Sequence, residues 1–146
     1  MRELPRQLSA DELAELFEGR TALVEQLDGI DNPLEHAEDV LLALPDDDKI
    51  EALNAHPPIG RTKGLSTRSA LEQGSDTDPA VLAELAYLNQ VYEEKFGFRF
   101  VVFVAGRPRS EILEVLRERI ARTQDEELET GCRELVAIAR NRWIHT

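Results

Sequence analysis

Cysteine occurs once in the 146 residues, at Cys132, so no disulfide can form within the chain. A lone thiol fits a reducing compartment, and the expected location is the cytoplasm. Basic residues are also scarce: 17 Lys and Arg stand against 29 Asp and Glu, a formal net charge of -12. Without a basic face there is no counterion release to drive nucleic-acid binding and no attraction to an anionic membrane, so neither partner is expected. Long apolar runs are missing too. Met1 to Leu8 hold nothing long enough for a signal peptide or a membrane span, and the terminal Trp-Ile-His-Thr is not a peroxisomal tripeptide.

Other absences narrow the chemistry. His36, His56 and His145 are scattered, and no His-Glu-x-x-His or paired cysteine spacing marks a metal site. Gly60-Arg-Thr-Lys-Gly64 lacks the ending and the preceding strand of a phosphate-binding loop. The stretch Asp28 to Asn32 does not match a calcium loop, which needs alternating acids and a late glutamate. Repeats, low-complexity tracts and Gly/Ser linkers are absent, which predicts a single domain over 1–146.

What remains is helical periodicity in a chain that is 42% hydrophobic, enough for a folded core. Ser9-Ala-Asp-Glu12 fits a capping box ahead of an apolar stripe at Leu13, Leu16 and Phe17. Further helices are predicted over Thr21 to Leu27, from Pro33 to before Pro45, and over Asp46 to Asn54, whose opening acids suit a positive helix end. A Pro- and Gly-rich loop from His56 to Leu65 precedes a helix from Ser66 to Gln73, closed by Gly74. Asp78-Pro79 opens a long helix whose buried face is read as Leu82, Leu85, Ala86, Asn89, Tyr92 and Phe96. Ser110 to Arg122 and Asp125 to Trp143 complete the set. Between them, Phe98 to Ala105 is β-branched and aromatic; one strand makes no sheet, so an extended segment buried among helices is expected. The fold class is all-α, a bundle of about seven to nine helices, counted from these periodic segments.

Four stretches could carry chemistry. In His56-Pro57-Pro58-Ile59-Gly60, the proline forces the preceding residue out of the helical region and stiffens the corner, holding a histidine that titrates near about pH 6.5. The same pattern would serve a helix stop with a solvent-facing ring. Ser69, Glu72 and Gln73 lie one helical turn apart, and a carboxylate beside an amide suits the N–H and C=O groups of a ureido ligand; an ordinary polar helix surface would read alike. Phe98 to Val104 could present unpaired N–H groups to an anion or carbonyl, or could be plain core. Arg133, Arg140 and Arg142 crowd the last helix, where one could clamp a carboxylate or simply offset the helix dipole. Cys132, amid Leu128, Leu135 and Val136, reads as packing.

Taken in order, His-Pro-x-x-Gly (His56 to Gly60), Ser-x-x-Glu-Gln (Ser69 to Gln73), Leu-Asn-x-x-Tyr (Leu88 to Tyr92) and Lys-Phe-Gly-Phe-x-Phe (Lys95 to Phe100) resemble the 2-oxo-4-hydroxy-4-carboxy-5-ureidoimidazoline (OHCU) decarboxylase family. The resemblance covers about two-thirds of the chain, from roughly Leu44 onward. The first forty residues match poorly and lack the tryptophan often found there, since Trp143 is the only one; the stretch from Gly60 to Ser69 is short beside some members. The resemblance implies an all-helical homodimer without a cofactor that converts the ureidoimidazoline to (S)-allantoin in urate breakdown. It implies that His56 is the catalytic acid, with Glu72 as a second catalytic residue. It also implies a pocket lined by Pro57, Ser69, Glu72, Gln73, Phe100, Val101, Val102, Phe103 and Val104. The family's late arginine falls on Arg142, with Arg140 the alternative if the register slips. Two other readings stay open: a paralogue acting on another small ureido acid, and a non-catalytic acidic helical binding module.

Overall fold

The computed structural model describes residues 3–58 and 78–145. Among them are seven helices and no strand: α1 (Ala10–Phe17), α2 (Ala22–Leu27), α3 (Pro33–Ala43), α4 (Asp46–Ala55), α5 (Pro79–Phe96), α6 (Arg109–Ile120) and α7 (Gln124–Ile144). The expected helix from Ser66 to Gln73 and most of the loop before it lie outside the described residues.

Helix starts follow local chemistry. The Ser9–Glu12 capping box opens α1, and a second box, Thr123 with Glu126, opens α7. Asp78 accepts the Ala80 N–H at 2.9 Å ahead of Pro79, and Pro33 occupies the first turn of α3. Three aspartates, Asp46 to Asp48, sit in the first turn of α4.

The buried face of α5 is narrower than its apolar residues suggest. Leu85, Asn89, Tyr92 and Phe96 are buried, whereas Leu82 is half-buried and Ala86 is exposed, which corrects the expected face. At about 100° per residue, the four buried positions fall within a narrow arc and Ala86 turns roughly a quarter-circle away from it.

The long α7 packs on α3, α4 and α1, while α5 pairs with α6. At Gly131 the backbone of α7 approaches α4 so closely that an added Cβ would lie 3.2 Å from Leu53 Cδ1. The non-helical run 98–104 threads the interior, with Phe98, Phe100, Val101, Val102 and Val104 all buried. Phe98 and Phe100 meet Tyr92 with ring centroids 6.0 and 5.2 Å away. The expected lone extended segment among helices is therefore a continuous part of the core.

Candidate functional site

Helix α4 ends at His56, whose backbone is extended (φ -77°, ψ 136°) because Pro57 follows it. One side chain ties this corner to the core run. The Arg99 guanidinium donates through Nη1 to the carbonyls of Asn54 (2.7 Å) and His56 (2.9 Å), and the Arg99 N–H donates to Asn54 Oδ1 at 3.0 Å. His56 and the buried Pro57 are thus held beside the start of 100–104, although more than forty positions separate them in sequence.

The histidine ring is shielded on one side: Nδ1 is closed off from solvent and has no hydrogen-bond partner among the described residues. Burial pushes its pKa down from 6.5 to about 4, and the Arg142 guanidinium adds to that fall. Glu18 works against them, and Arg99 contributes in the same direction as Arg142. His56 is therefore a neutral imidazole near pH 7.

Arg142 comes to the same place from α7. Its side chain is 1% exposed, and Nη1 donates to the Leu16 carbonyl at 2.8 Å and meets Glu18 Oε1 at 3.1 Å. The carbonyls of a helix's last turn lack intrahelical donors, and α1 carries no basic residue in that turn, so a buried guanidinium from α7 fills the gap. The neighbouring arginines serve elsewhere. Arg140 donates to the Leu34 and Glu35 carbonyls of α3, and the exposed Arg133 pairs with Glu38 and Glu129. Of the three arginines considered from sequence, only Arg142 is among the charges felt by His56.

The run 100–104 is held mostly by side chains. Arg119 Nη1 donates to the Val101 carbonyl at 2.7 Å, Arg107 Nη2 to the Phe103 carbonyl at 2.6 Å, and the Phe103 N–H reaches Glu134 Oε1 at 3.4 Å. Among the described residues, the N–H groups of Phe100, Val101, Val102 and Val104 meet no acceptor. Buried N–H groups are costly when unpaired, so this backbone suits a ligand that brings acceptors.

Ser69, Glu72 and Gln73 lie outside the described residues. Sequence reasoning missed Glu18, Arg99 and the Leu16 carbonyl. Glu18 carries the one local signal: it ends a helix just before Gly19 and itself takes the left-handed conformation (φ 65°) that glycine usually fills. Cys132 is fully buried in the core, and burial raises its thiol pKa to about 12, which makes it packing and no nucleophile. No group of three or more His, Cys, Asp or Glu that could hold a metal ion occurs among the described residues. A surface cleft of about 240 Å³, lined by Leu42, Asp46, Lys49, Asp125, Leu128 and Glu129, shares no residue with this site. No described helix is long and apolar enough to cross a membrane.

Fold and site define a small helical protein that sets a shielded histidine, a buried arginine and backbone donors without an acceptor among the described residues in one region. The family described as OHCU decarboxylase matches residues 2–143, so the chain belongs to the OHCU decarboxylase family. The match extends well before Leu44, correcting the shorter span legible from the motifs. The chain is 38% identical over 104 residues to the uric acid degradation bifunctional protein TTL of Arabidopsis thaliana, covering 65% of this chain and 32% of that protein. It is 30% identical over 95 residues to the 2-oxo-4-hydroxy-4-carboxy-5-ureidoimidazoline decarboxylase of Halalkalicoccus jeotgali, covering 62% of this chain and 54% of that one. The chain thus spans about a third and about half of these relatives' lengths. A crystal structure of OHCU decarboxylase in the presence of (S)-allantoin superposes with a TM-score of 0.74 at 28% identity, covering 90% of this chain and 94% of that one.

Proposed function

We propose that the chain decarboxylates 2-oxo-4-hydroxy-4-carboxy-5-ureidoimidazoline to (S)-allantoin without a cofactor, with His56 and Arg142 at the reacting centre. The observation that carries this reading is the convergence of the shielded His56 ring and the buried Arg142 in a member of this family. Arg142 holds the substrate carboxylate, and N–H groups of 100–104 hold the ring oxygen. Ser69, Glu72 and Gln73 receive the ureido arm, with Glu72 the second catalytic residue.

The state of His56 sharpens the chemistry. A neutral imidazole starts as a base and becomes an acid only after it takes a proton. Loss of CO₂ breaks the bond between the carboxylate and the hydroxyl-bearing carbon. The electron pair moves to the neighbouring ureido-bearing carbon and on to the ring nitrogen of the C=N bond, which takes a proton from solvent. The hydroxyl proton passes to His56, leaving a carbonyl, and the imidazolium returns that proton to one face of the ureido-bearing carbon. The face chosen sets the product's handedness. The resemblance further supports a cytoplasmic homodimer built from one domain per chain, which sedimentation of the full chain would check.

The test generates substrate in situ from urate and follows the optical activity of the product. A single enantiomer is expected only with active protein, against a racemate from the uncatalysed loss of CO₂. His56→Asn is expected to lower turnover by about 10² to 10⁴ while keeping the fold. Racemic product at the background rate from the wild-type chain would overturn the reading.

A further inference from the structure

Glu18 is the acid that meets the buried guanidinium of Arg142, and its conformation is unusual. Among described residues other than glycine, only Glu18, Asn32 and Ala105 have positive φ. Asparagine tolerates that region through its short polar side chain; glutamate has no such excuse. The position is a helix end, where glycine is the common solution, and Gly19 stands one residue too late to supply it. Backbone strain of this kind persists where the side chain has a task. Here the left-handed turn accompanies a carboxylate that meets Arg142 Nη1 at 3.1 Å, beside the 2.8 Å bond to the Leu16 carbonyl. Two acceptors from the end of α1 therefore grip one nitrogen of a guanidinium that arrives from α7.

We propose that Glu18 is a positioning residue: together with the Leu16 carbonyl it sets the orientation in which Arg142 meets the substrate's carboxylate. This role rests on Arg142 being the anion clamp of the proposed reaction. A guanidinium binds a carboxylate best in plane and through paired donors, so its orientation decides how much of that bond is realised. Glu18 acts through Arg142 and needs no contact with the reacting atoms. Its negative charge also opposes Arg142 and Arg99 at the His56 ring, which keeps the pair of cations from bearing on the imidazole unbalanced.

The experiment measures KM and kcat separately for Glu18→Ala, Glu18→Gly, Glu18→Gln, Arg142→Gln and the double variant Glu18→Ala/Arg142→Gln. Glu18→Ala is expected to raise KM about tenfold with a smaller change in kcat, the pattern of weakened ground-state binding. Glu18→Gly removes the backbone strain as well as the side chain, so it keeps the test open if the alanine variant folds poorly, and the same rise in KM is expected. Glu18→Gln still accepts a hydrogen bond from Arg142 and is expected within about threefold of wild type. In the Arg142→Gln background, Glu18→Ala should add almost nothing, because residues acting through one another are not additive. A KM unmoved by Glu18→Ala and Glu18→Gly, with Arg142→Gln raising it, overturns the role of Glu18 alone. A KM unmoved by Arg142→Gln overturns the clamp itself, and the role of Glu18 with it. An undiminished Glu18→Ala effect in the double variant shows that Glu18 acts by another route.

Discussion

Two buried arginines in this fold share partners of the same kind among the described residues: each meets a glutamate and a main-chain carbonyl. Arg119 bonds Glu127 Oε1 at 2.7 Å and the Val101 carbonyl at 2.7 Å; Arg142 bonds the Leu16 carbonyl and Glu18. Their surroundings differ. The Glu127 carboxylate is fully buried and used at both oxygens, taking Tyr92 OH at 2.8 Å on Oε1 and Arg122 Nη1 at 2.9 Å on Oε2. Glu18 is 18% exposed at a strained helix end, and its charge reaches the His56 ring, whose Nδ1 has no partner among the described residues. A buried charge whose partners lie inside the core acts as a lock on α5, α6, α7 and the run 100–104. One placed beside a shielded, titratable ring is suited to chemistry.

That contrast can be broken by measurement. The largest effect is expected at Glu127→Ala, which strands Arg119 in the core and should cost about 3–5 kcal/mol in urea unfolding. Glu18→Ala leaves Arg142 its main-chain acceptor and should cost far less, about 1 kcal/mol. Equal losses would show that both pairs are structural.

The next effect is a pH dependence. The His56 pKa is lowered on folding from 6.5 to about 4, so the unfolded chain binds more protons across that window. Stability from this group is complete above about pH 6.5 and falls as pH drops toward 4, by on the order of 3 kcal/mol. Urea midpoints at pH 7 and pH 4.5 should therefore diverge less in His56→Gln than in wild type. Identical divergence would mean that the ring is not shielded.

A smaller effect than the loss of Glu127 tests the lock in detail. Tyr92→Phe removes the phenol that donates to Glu127 but keeps the ring packed on Phe96 at 4.6 Å. A loss of about 1.5–3 kcal/mol is expected, with KM unchanged, since a hydrogen bond to a charged group is worth that much. A shift in KM from this variant would place the Tyr92 network in the site after all.

The helices were largely legible because their signals are local. Caps at Ser9 and Asp78, prolines at 33 and 79, and the spacing of Leu13, Leu16 and Phe17 act within a turn or two of chain. His56 was legible for the same reason, since Pro57 constrains its backbone directly. Ala86 was misread because apolar character does not say where the centre of a buried arc lies. Arg142 and Arg140 were hard to separate from composition: both sit on one helix beside Trp143, and only packing buries one at the end of α1 and lays the other over α3.

The sequence by itself determined where helices begin, that 98–104 would not be one of them, which family the motifs point to, and that a histidine stands on a rigid corner. Those outcomes depend on backbone sterics, capping and periodicity, all short in range. Tertiary structure alone decided that the Leu16 carbonyl, 126 residues away, would hold Arg142, and that Arg99 would draw α4 to the core run. It also decided that burial and Arg142 would push the His56 pKa down from 6.5 to about 4. Electrostatic coupling and desolvation depend on distance in space and on exclusion of water, and neither quantity exists until the helices have packed.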